Sequence, residues 1–283
     1  MKAKSNVAII GLGHMGGPMA DHVIAAGFAV RVYDINTEAM AKRVSAGATA
    51  TDSPAEAARG AQFVSVVVFD DTQATEVIAG NEGVLTTLAA GAVVSIHTTV
   101  KLETIHQLSK RANEQGVTIL DAGISGGEAG ATAGTLLTMV GGPDEEVDQA
   151  RPVLLSFSKE VVHAGPLGAG MALKLARNAT SYIMMAAVHE AMELATRSEV
   201  DLDLLRHTIA ETGVFDQALA PLSLGGPGGL DRDAPLELRA ILEHTNRMAD
   251  KDLGQAIDLA ERTGASVPVI EAVRACFNRV VRL

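Results

Sequence analysis

The chain has 283 residues, 47% of them hydrophobic, and a formal net charge of −11, which makes nucleic acid and anionic membrane surfaces poor partners. Its single cysteine, Cys276, excludes an internal disulfide and a thiolate metal cluster, and no His, Asp or Glu grouping has metal-ligand spacing. Because no signal peptide precedes the first strand and no stretch is typical of a membrane span, we expect a cytoplasmic protein without a metal.

Strand and helix signals alternate through the first half of the chain. The strands are continuous Val, Ile and Ala runs, which are typical of a sheet that helices cover on both faces. The pattern therefore predicts an α/β fold, with a doubly wound Rossmann-type domain over residues 1–165. Strands are expected at 7–10, 29–33, 63–69, 92–96, 118–121, 136–140 and 160–163, and helices at 15–26, 37–46, 73–78, 102–115 and 145–155.

The pattern changes after residue 165, where no further strand is predicted. Residues 166–283 are expected to form an all-α domain for substrate binding and dimerisation, joined to the first domain by a long helix. Such an arrangement favours a homodimer or a homotetramer. The helices are expected at 168–197, 202–211, 236–249, 252–263 and 269–282, with a Gly/Pro-rich loop at 225–229.

The turn between the first strand and the first helix predicts a dinucleotide site. Gly11 makes the tight turn, Gly13 lets the backbone approach a pyrophosphate, and Gly16 lets the helix pack close to the strand. The helix N-terminus presents N–H groups and partial positive charge to the phosphates. The alternative is a glycine turn that only packs a helix. The predicted cofactor contacts in the turn are Gly11, Gly13, His14, Met15 and Gly16.

Asp34 ends the second predicted strand, where an acidic side chain accepts hydrogen bonds from an adenosine ribose. A carboxylate there repels a 2′-phosphate, and Ile35 offers no guanidinium to bind one, so the sequence favours NAD over NADP. Lys42 and Arg43 lie further along the next helix and are close enough in sequence to reach back, so NADP is not excluded. The alternative role for Asp34 is to cap that helix.

Ligands of a doubly wound sheet bind at the carboxyl ends of its strands. Phe69 and Thr99 lie at two of these predicted ends, and residues 121–135 follow a third. The glycines and small residues of this third segment leave backbone N–H groups free to bind a carboxylate, and Ser125 adds a hydroxyl donor. The alternative is a flexible crossover that needs small residues.

The long helix carries the candidate proton-transfer group. Lys174 and Asn178 are separated by four residues and share one face, and Arg177 is close to that face. Apolar neighbours and the adjacent guanidinium favour a lowered pKa for Lys174, which suits acid/base work. The alternative is an exposed lysine without a special role.

Four segments in this order resemble the β-hydroxyacid dehydrogenases, the group that includes 3-hydroxyisobutyrate dehydrogenase and tartronate semialdehyde reductase. They are the N-terminal signature at 11–20, the substrate loop at 121–134, the catalytic-lysine helix at 165–178, and the motif at 251–253. The resemblance implies an NAD-dependent oxidoreductase that interconverts a small β-hydroxy acid and its semialdehyde or keto form. The implied roles are carboxylate binding by Ser125, Gly126 and Gly127, acid/base catalysis by Lys174, substrate orientation by Asn178, and cofactor contacts by Thr99 and Lys251.

Three residues depart from the pattern of this family. Gly123 replaces the usual proline, which is expected to loosen the approach to the substrate loop. Arg177 replaces a common asparagine, and its charge favours a second anionic group on the substrate. His97 follows Ile96 where an acidic and an apolar residue are often found. The alternative functions are an imine reductase, a related group that lacks this lysine, and a non-catalytic dinucleotide-binding module.

Overall fold

The computed structural model describes residues 6–219 and 234–281. The chain divides into two compact units, Met1–Asn178 and Ala179–Leu283. The alternation of strands and helices ends at residue 165, and the first compact unit also includes the opening turns of the long helix. All of the sheet lies in the first unit.

The first unit is built on an eight-stranded sheet in the order β3-β2-β1-β4-β5-β6-β7-β8. Neighbouring strands are parallel, except that β6 and β7 are antiparallel. Seven of the eight strands occur where the sequence predicts them. The strands are β1 (Asn6–Ile10), β2 (Ala29–Tyr33), β3 (Thr49–Ala50), β4 (Phe63–Val66), β5 (Val93–Ile96), β6 (Thr118–Ser125), β7 (Leu136–Gly141) and β8 (Ser158–Gly165).

Helices cover both faces of this sheet, as the doubly wound prediction requires. In β1, Val7 and Ile9 face one buried cluster while Ala8 and Ile10 face the other. Helices α1, α6 and α7 contribute to the first cluster, and α3, α4 and α5 to the second. The helices are α1 (Gly16–Ala25), α2 (Thr37–Ser45), α3 (Pro54–Ala58), α4 (Asp71–Ala79), α5 (Leu102–Asn113), α6 (Gly127–Ala133) and α7 (Asp144–Phe157), with a 3₁₀ turn at Val84–Thr86.

Several boundaries in the first unit differ from those expected. The strand predicted to reach residue 69 ends at Val66. Strand β6 continues past Asp121 to Ser125, since this half pairs with β7. The glycine-rich segment after it is not a loop throughout, because Gly127–Ala133 is helical. The short β3 and α3 were not predicted.

The helix that bears the candidate lysine, α8, runs from Ala169 to Arg197 and begins in the first unit. In the second unit, the prediction of two helices at 236–249 and 252–263 is wrong, because the polar run at 250–252 does not break the helix. The loop at 225–229 and residue 282 lie outside the described residues. Within the described ranges, no helix is long and apolar enough to cross a bilayer. The helices are α9 (Leu202–Glu211), α10 (Val214–Gln217), α11 (Leu236–Thr263) and α12 (Pro268–Val280).

Candidate active site

The glycine turn has the geometry that a pyrophosphate needs. Gly11 has φ +92°, and a Cβ at this residue would collide with the carbonyl of Val67. A Cβ at Gly16 would collide with the carbonyl of Gly11, so close packing of α1 requires glycine here. By contrast, nothing lies within 4 Å of a Cβ built on Gly13. The backbone at Gly13 is therefore open to a ligand next to the N-terminus of α1, and this fits a dinucleotide phosphate.

Asp34 lies at the end of β2 and holds the turn with its carboxylate. Its Oδ2 accepts a hydrogen bond from the Leu12 N–H at 2.5 Å, and its Oδ1 accepts one from the Asn36 N–H at 2.7 Å. Asn36, rather than Asp34, caps α2. Asp34 also lines a cleft next to the turn, and each carboxylate oxygen keeps a lone pair that can accept from a ribose hydroxyl.

A cleft of about 610 Å³ contains every cofactor contact predicted in the glycine turn, together with Asp34 and Phe69. Its charged lining is acidic, since Asp34, Glu76 and Glu82 line it and, among the described residues, no Lys or Arg does. Arg43 does not reach this cleft. Its guanidinium is buried, with Nη2 2.9 Å from Asp21 Oδ2 and Nε donating to the Gly17 carbonyl. A 2′-phosphate would meet carboxylates here, so the cleft favours NAD.

We predict that Asp34→Asn lowers the NAD over NADP preference by at least about tenfold. Two like charges about 4 Å apart near a protein surface repel by roughly 1 to 4 kcal/mol, and tenfold corresponds to about 1.4 kcal/mol. The measurement is kcat/KM with each cofactor at a fixed substrate concentration. Lys42→Ala, which removes an exposed cation of α2, should leave the ratio unchanged. An unaltered ratio in the Asp34→Asn variant would contradict the prediction.

A second cavity, of about 370 Å³, shares Met15, Val67, Val68 and Phe69 with the cofactor cleft. It brings together side chains from the ends of β5 and β6 and from the first turns of α8. Two cations line it and, within the part of the chain that the structure describes, no acidic residue does. The predicted site residues that line it are Phe69, Thr99, Ser125, Gly126, Gly127, Lys174, Arg177 and Asn178.

Lys174 is buried, with 8% of its surface exposed, although it is a lysine on a long helix. Its Nζ donates a hydrogen bond to the carbonyl of Ile124, the residue before Ser125. Burial, followed by the positive charge of Arg177, lowers the pKa of Lys174 below the usual lysine value. The interpretation of Lys174 as an ordinary exposed lysine is therefore wrong.

Arg177 and Asn178 lie at the exposed side of the same cavity. The Nη1 of Arg177 donates to Asn178 Oδ1 at 3.3 Å. This contact uses only the amide oxygen of Asn178, so its N–H groups can donate to an acceptor in the cavity. Ser125 ends β6 and is half-buried, and Gly126 and Gly127, with φ +135° and +62°, form the turn into α6.

The loops after β4 and β5 support the junction of the two cavities. Thr98 Oγ1 accepts a hydrogen bond from the Val68 N–H at 2.9 Å and donates one to the Val68 carbonyl at 3.0 Å. The Phe69 N–H donates to Gln73 Oε1, and the Phe69 ring is 85% exposed. Thr99 is exposed at the cavity wall. Phe69 thus lines both cavities, whereas Thr99 lines the second one alone.

Two predicted cofactor contacts, His14 and Lys251, lie close to acidic side chains. His14 is exposed, and its Nδ1 is 3.2 Å from Glu128 Oε2, so the side chain connects the glycine turn to α6. Lys251 lies on α11 in the second unit, where its Nζ is 3.1 Å from Asp252 Oδ1. The role of Lys251 in binding the cofactor stays a prediction. Among the described residues, no group of three or more His, Cys, Asp or Glu is placed to hold a metal ion.

Sequence reasoning named two buried groups, Asp121 and His97, but did not predict their contacts. Asp121 accepts backbone hydrogen bonds from the start of α8, and His97 bridges β4 and β6. Gly123 lies within β6, opposite Met139 of β7. The expectation that it loosens the approach to the substrate loop is therefore wrong, because its backbone is part of a paired strand.

Comparison with known proteins agrees with this geometry. The family model described as the NAD binding domain of 6-phosphogluconate dehydrogenase matches residues 6–165. The 3-hydroxyisobutyrate dehydrogenase of Pseudomonas aeruginosa is 33% identical, over 97% of this chain and 91% of the relative. The 3-sulfolactaldehyde reductase of Escherichia coli K12 is 30% identical, over 96% and 89%. A solved oxidoreductase structure from Mycobacterium avium 104 has TM-score 0.85 and 33% identity, over 98% and 99%.

The fold, the glycine turn and these matches define an NAD-binding oxidoreductase. The chain belongs to the β-hydroxyacid dehydrogenase family. This membership confirms the resemblance of the four sequence segments, and NAD as the cofactor of its first domain.

Proposed function

We propose that this protein interconverts a small β-hydroxy acid and its semialdehyde or keto form, with Lys174 as the general acid/base. The observation that carries this proposal is the buried Lys174 amine in a cavity that also holds Ser125 and Asn178. NAD, when bound, accepts hydride from the hydroxyl-bearing carbon or returns it. The chain itself must bind the carboxylate, orient the hydroxyl and transfer its proton.

Each of these tasks has a residue in the cavity. The Ser125 hydroxyl and the backbone N–H groups of Gly126 and Gly127 hold the carboxylate. Asn178 donates to the substrate oxygen and orients it. In oxidation, the neutral amine of Lys174 takes the hydroxyl proton, and in reduction its ammonium returns that proton and stabilises the developing negative charge. Phe69 and Thr99, which line the cavity, would contact the cofactor beside the substrate.

The charge of the cavity supports a substrate with a second anionic group. Lys174 and Arg177 place two cations around a space that no described acidic residue lines, in a chain of net charge −11. A single carboxylate on Ser125 and the glycines leaves Arg177 without a substrate partner. One relative, the 3-sulfolactaldehyde reductase, is named for a substrate with a sulfo group. We therefore propose that Arg177 binds a second carboxylate, sulfonate or similar anion.

A panel of small β-hydroxy acids, assayed with NAD and NADP side by side, tests both proposals. We expect oxidation with NAD, and a higher kcat/KM for substrates with a second anionic group. In Arg177→Asn this advantage should fall by at least about tenfold, which corresponds to the loss of one near-surface charge pair. Substrates with one carboxylate should change by less than about threefold.

Two results would contradict these proposals. Saturable NAD binding without oxidation of any panel member would favour a non-catalytic dinucleotide-binding module. An equal loss of kcat/KM for substrates with one and with two anionic groups in Arg177→Asn would remove Arg177 from substrate selection.

A further inference from the structure

Strand β6 and the start of α8 are joined by a buried carboxylate. Asp121 is fully buried, and its Oδ1 and Oδ2 accept hydrogen bonds from the N–H groups of Gly168 and Met171, each at 2.6 Å. Gly168 immediately precedes α8 and Met171 lies in its first turn, so neither N–H group has a partner within the helix. The carboxylate therefore caps α8 and fixes its position along β6.

The next contact along the same strand is made by a glycine. A Cβ at Gly123 would lie 2.6 Å from Cδ and 2.9 Å from Cβ of Lys174. Carbon atoms in contact are normally about 3.5 to 4.0 Å apart. The aliphatic stem of Lys174 thus occupies the space that any other residue at position 123 would fill.

The row of contacts ends at the amine. Lys174 follows Met171 by one helical turn, so the cap at Asp121 places it opposite Gly123. Its Nζ then reaches the carbonyl of Ile124, and the neighbouring Ser125 lines the cavity. The contacts between β6 and the start of α8 therefore follow one another along the strand. Asp121 binds the backbone N–H groups, Gly123 contacts the stem of Lys174, and the Ile124 carbonyl accepts from its amine.

We propose that Asp121 and Gly123 are positioning residues for Lys174, which together set the location of its amine in the reaction proposed above. Asp121 fixes the helix along the strand, and Gly123 lets the lysine stem lie flat against the strand. This chain has glycine where the family usually has proline, and its α8 lies so close to β6 that an added Cβ would displace the stem by about 1 Å and move the amine away from Ile124. This inference rests on the proposed role of Lys174 and adds the residues that place it.

Gly123→Ala tests the inference directly. We expect kcat for hydroxy acid oxidation to fall by at least about tenfold, since a misplacement of about 1 Å costs up to roughly a hundredfold. The apparent pKa in the pH profile of kcat/KM should rise, because burial lowers the pKa of Lys174 and the displaced amine is more solvated. The Kd for NAD, measured by titration without substrate, should stay within about twofold, because the glycine turn is untouched.

The matched control is Gly60→Ala. It also adds one methyl group, and nothing lies within 4 Å of the new Cβ, but the backbone there has φ +75°, which unlike that of Gly123 disfavours alanine. It should keep the wild-type pH profile even if it lowers stability. A Gly123→Ala enzyme with wild-type kcat and an unchanged pH profile would overturn the inference.

Asp121→Asn provides a second test. The asparagine keeps one acceptor but presents an N–H group to one of the two backbone donors. We expect lower kcat and a raised apparent pKa, with NAD binding retained. The control Asp201→Asn alters another helix cap, on α9, where Asp201 Oδ1 accepts from the Leu204 N–H at 3.0 Å, and should leave the pH profile unchanged.

Lys174→Ala distinguishes a failure of the positioning inference from a failure of the proposed function. If Lys174→Ala is inactive while Gly123→Ala and Asp121→Asn keep wild-type kcat and pH profiles, the positioning inference is wrong and the proposed function stands. If Lys174→Ala itself keeps wild-type turnover, the proposed function is wrong, and the inference falls with it.

Discussion

Lys174→Ala is expected to lower turnover of hydroxy acid oxidation by at least about a hundredfold, the low end for general acid–base catalysis. The variant removes the amine that the cavity buries beside Ile124 and Ser125. It leaves the glycine turn and Asp34 intact, so the Kd for NAD should change little. The measurements are steady-state kcat on the best panel substrate and NAD titration of the same preparation.

Two comparisons make this result specific. Lys110→Ala removes an exposed lysine at the end of α5, and should retain wild-type turnover. Added methylamine should partly restore the activity of Lys174→Ala, because a small amine fits the space that the side chain leaves. Turnover of Lys174→Ala within about threefold of wild type would remove this residue from the mechanism.

The parts of the molecule that could be predicted from sequence are those whose determinants lie close together in the chain. The glycine turn and Asp34 belong to one strand–turn–helix–strand unit of about two dozen residues, so a local pattern is enough to predict both. The Val and Ile runs likewise give the buried strands directly, because helices cover both faces of the sheet. Both faces of β1 are buried in the structure, as these runs predict.

The groups that could not be predicted depend on contacts between distant segments. Asp121 reaches the N–H groups of Gly168 and Met171, 47 and 50 residues further on, and no local pattern indicates this pairing. The extension of β6 to Ser125 depends on its antiparallel pairing with β7. The glycine-rich segment between the two strands gives no sign of this pairing. Gly123 departs visibly from the family pattern, but only the position of Lys174 shows which side chain uses the space.

His97 shows the same limit, because its sequence neighbours do not indicate that it is enclosed. It is 2% exposed, and its ring packs edge-on against Phe157 with centroids 5.7 Å apart. Its Nδ1 is 2.8 Å from the Ala122 carbonyl, which only accepts, so Nδ1 carries the proton. The Nε2 of the neutral ring then accepts from Ser65 Oγ, 3.1 Å away. The ring joins β4 to β6 at the wall of the substrate cavity.

Acid should therefore destabilise the first unit through His97. Burial lowers the pKa of His97 from 6.5 to about 4. Between these values the unfolded chain binds a proton at this residue and the folded chain does not, so the free energy of unfolding falls as pH falls from 6.5 to 4. The expected loss is about 3 kcal/mol at 1.36 kcal/mol for each pKa unit. No loss from this residue is expected above pH 6.5.

Urea unfolding of wild type and His97→Asn at pH 7.5, 6.0 and 4.5 measures this contribution. The chain has two tyrosines and no tryptophan, so in a Tyr182→Phe background the fluorescence of Tyr33 reports the first unit alone. His97→Asn lowers stability at pH 7.5, since it leaves a space beside Phe157, but its further loss towards pH 4.5 should be smaller than that of wild type by roughly 2 to 3 kcal/mol. His207→Asn, at an exposed position of α9, should keep the wild-type dependence on pH. Parallel curves for wild type and His97→Asn would mean that the buried ring accepts a proton at Nε2 in the folded state, so that burial does not lower its pKa.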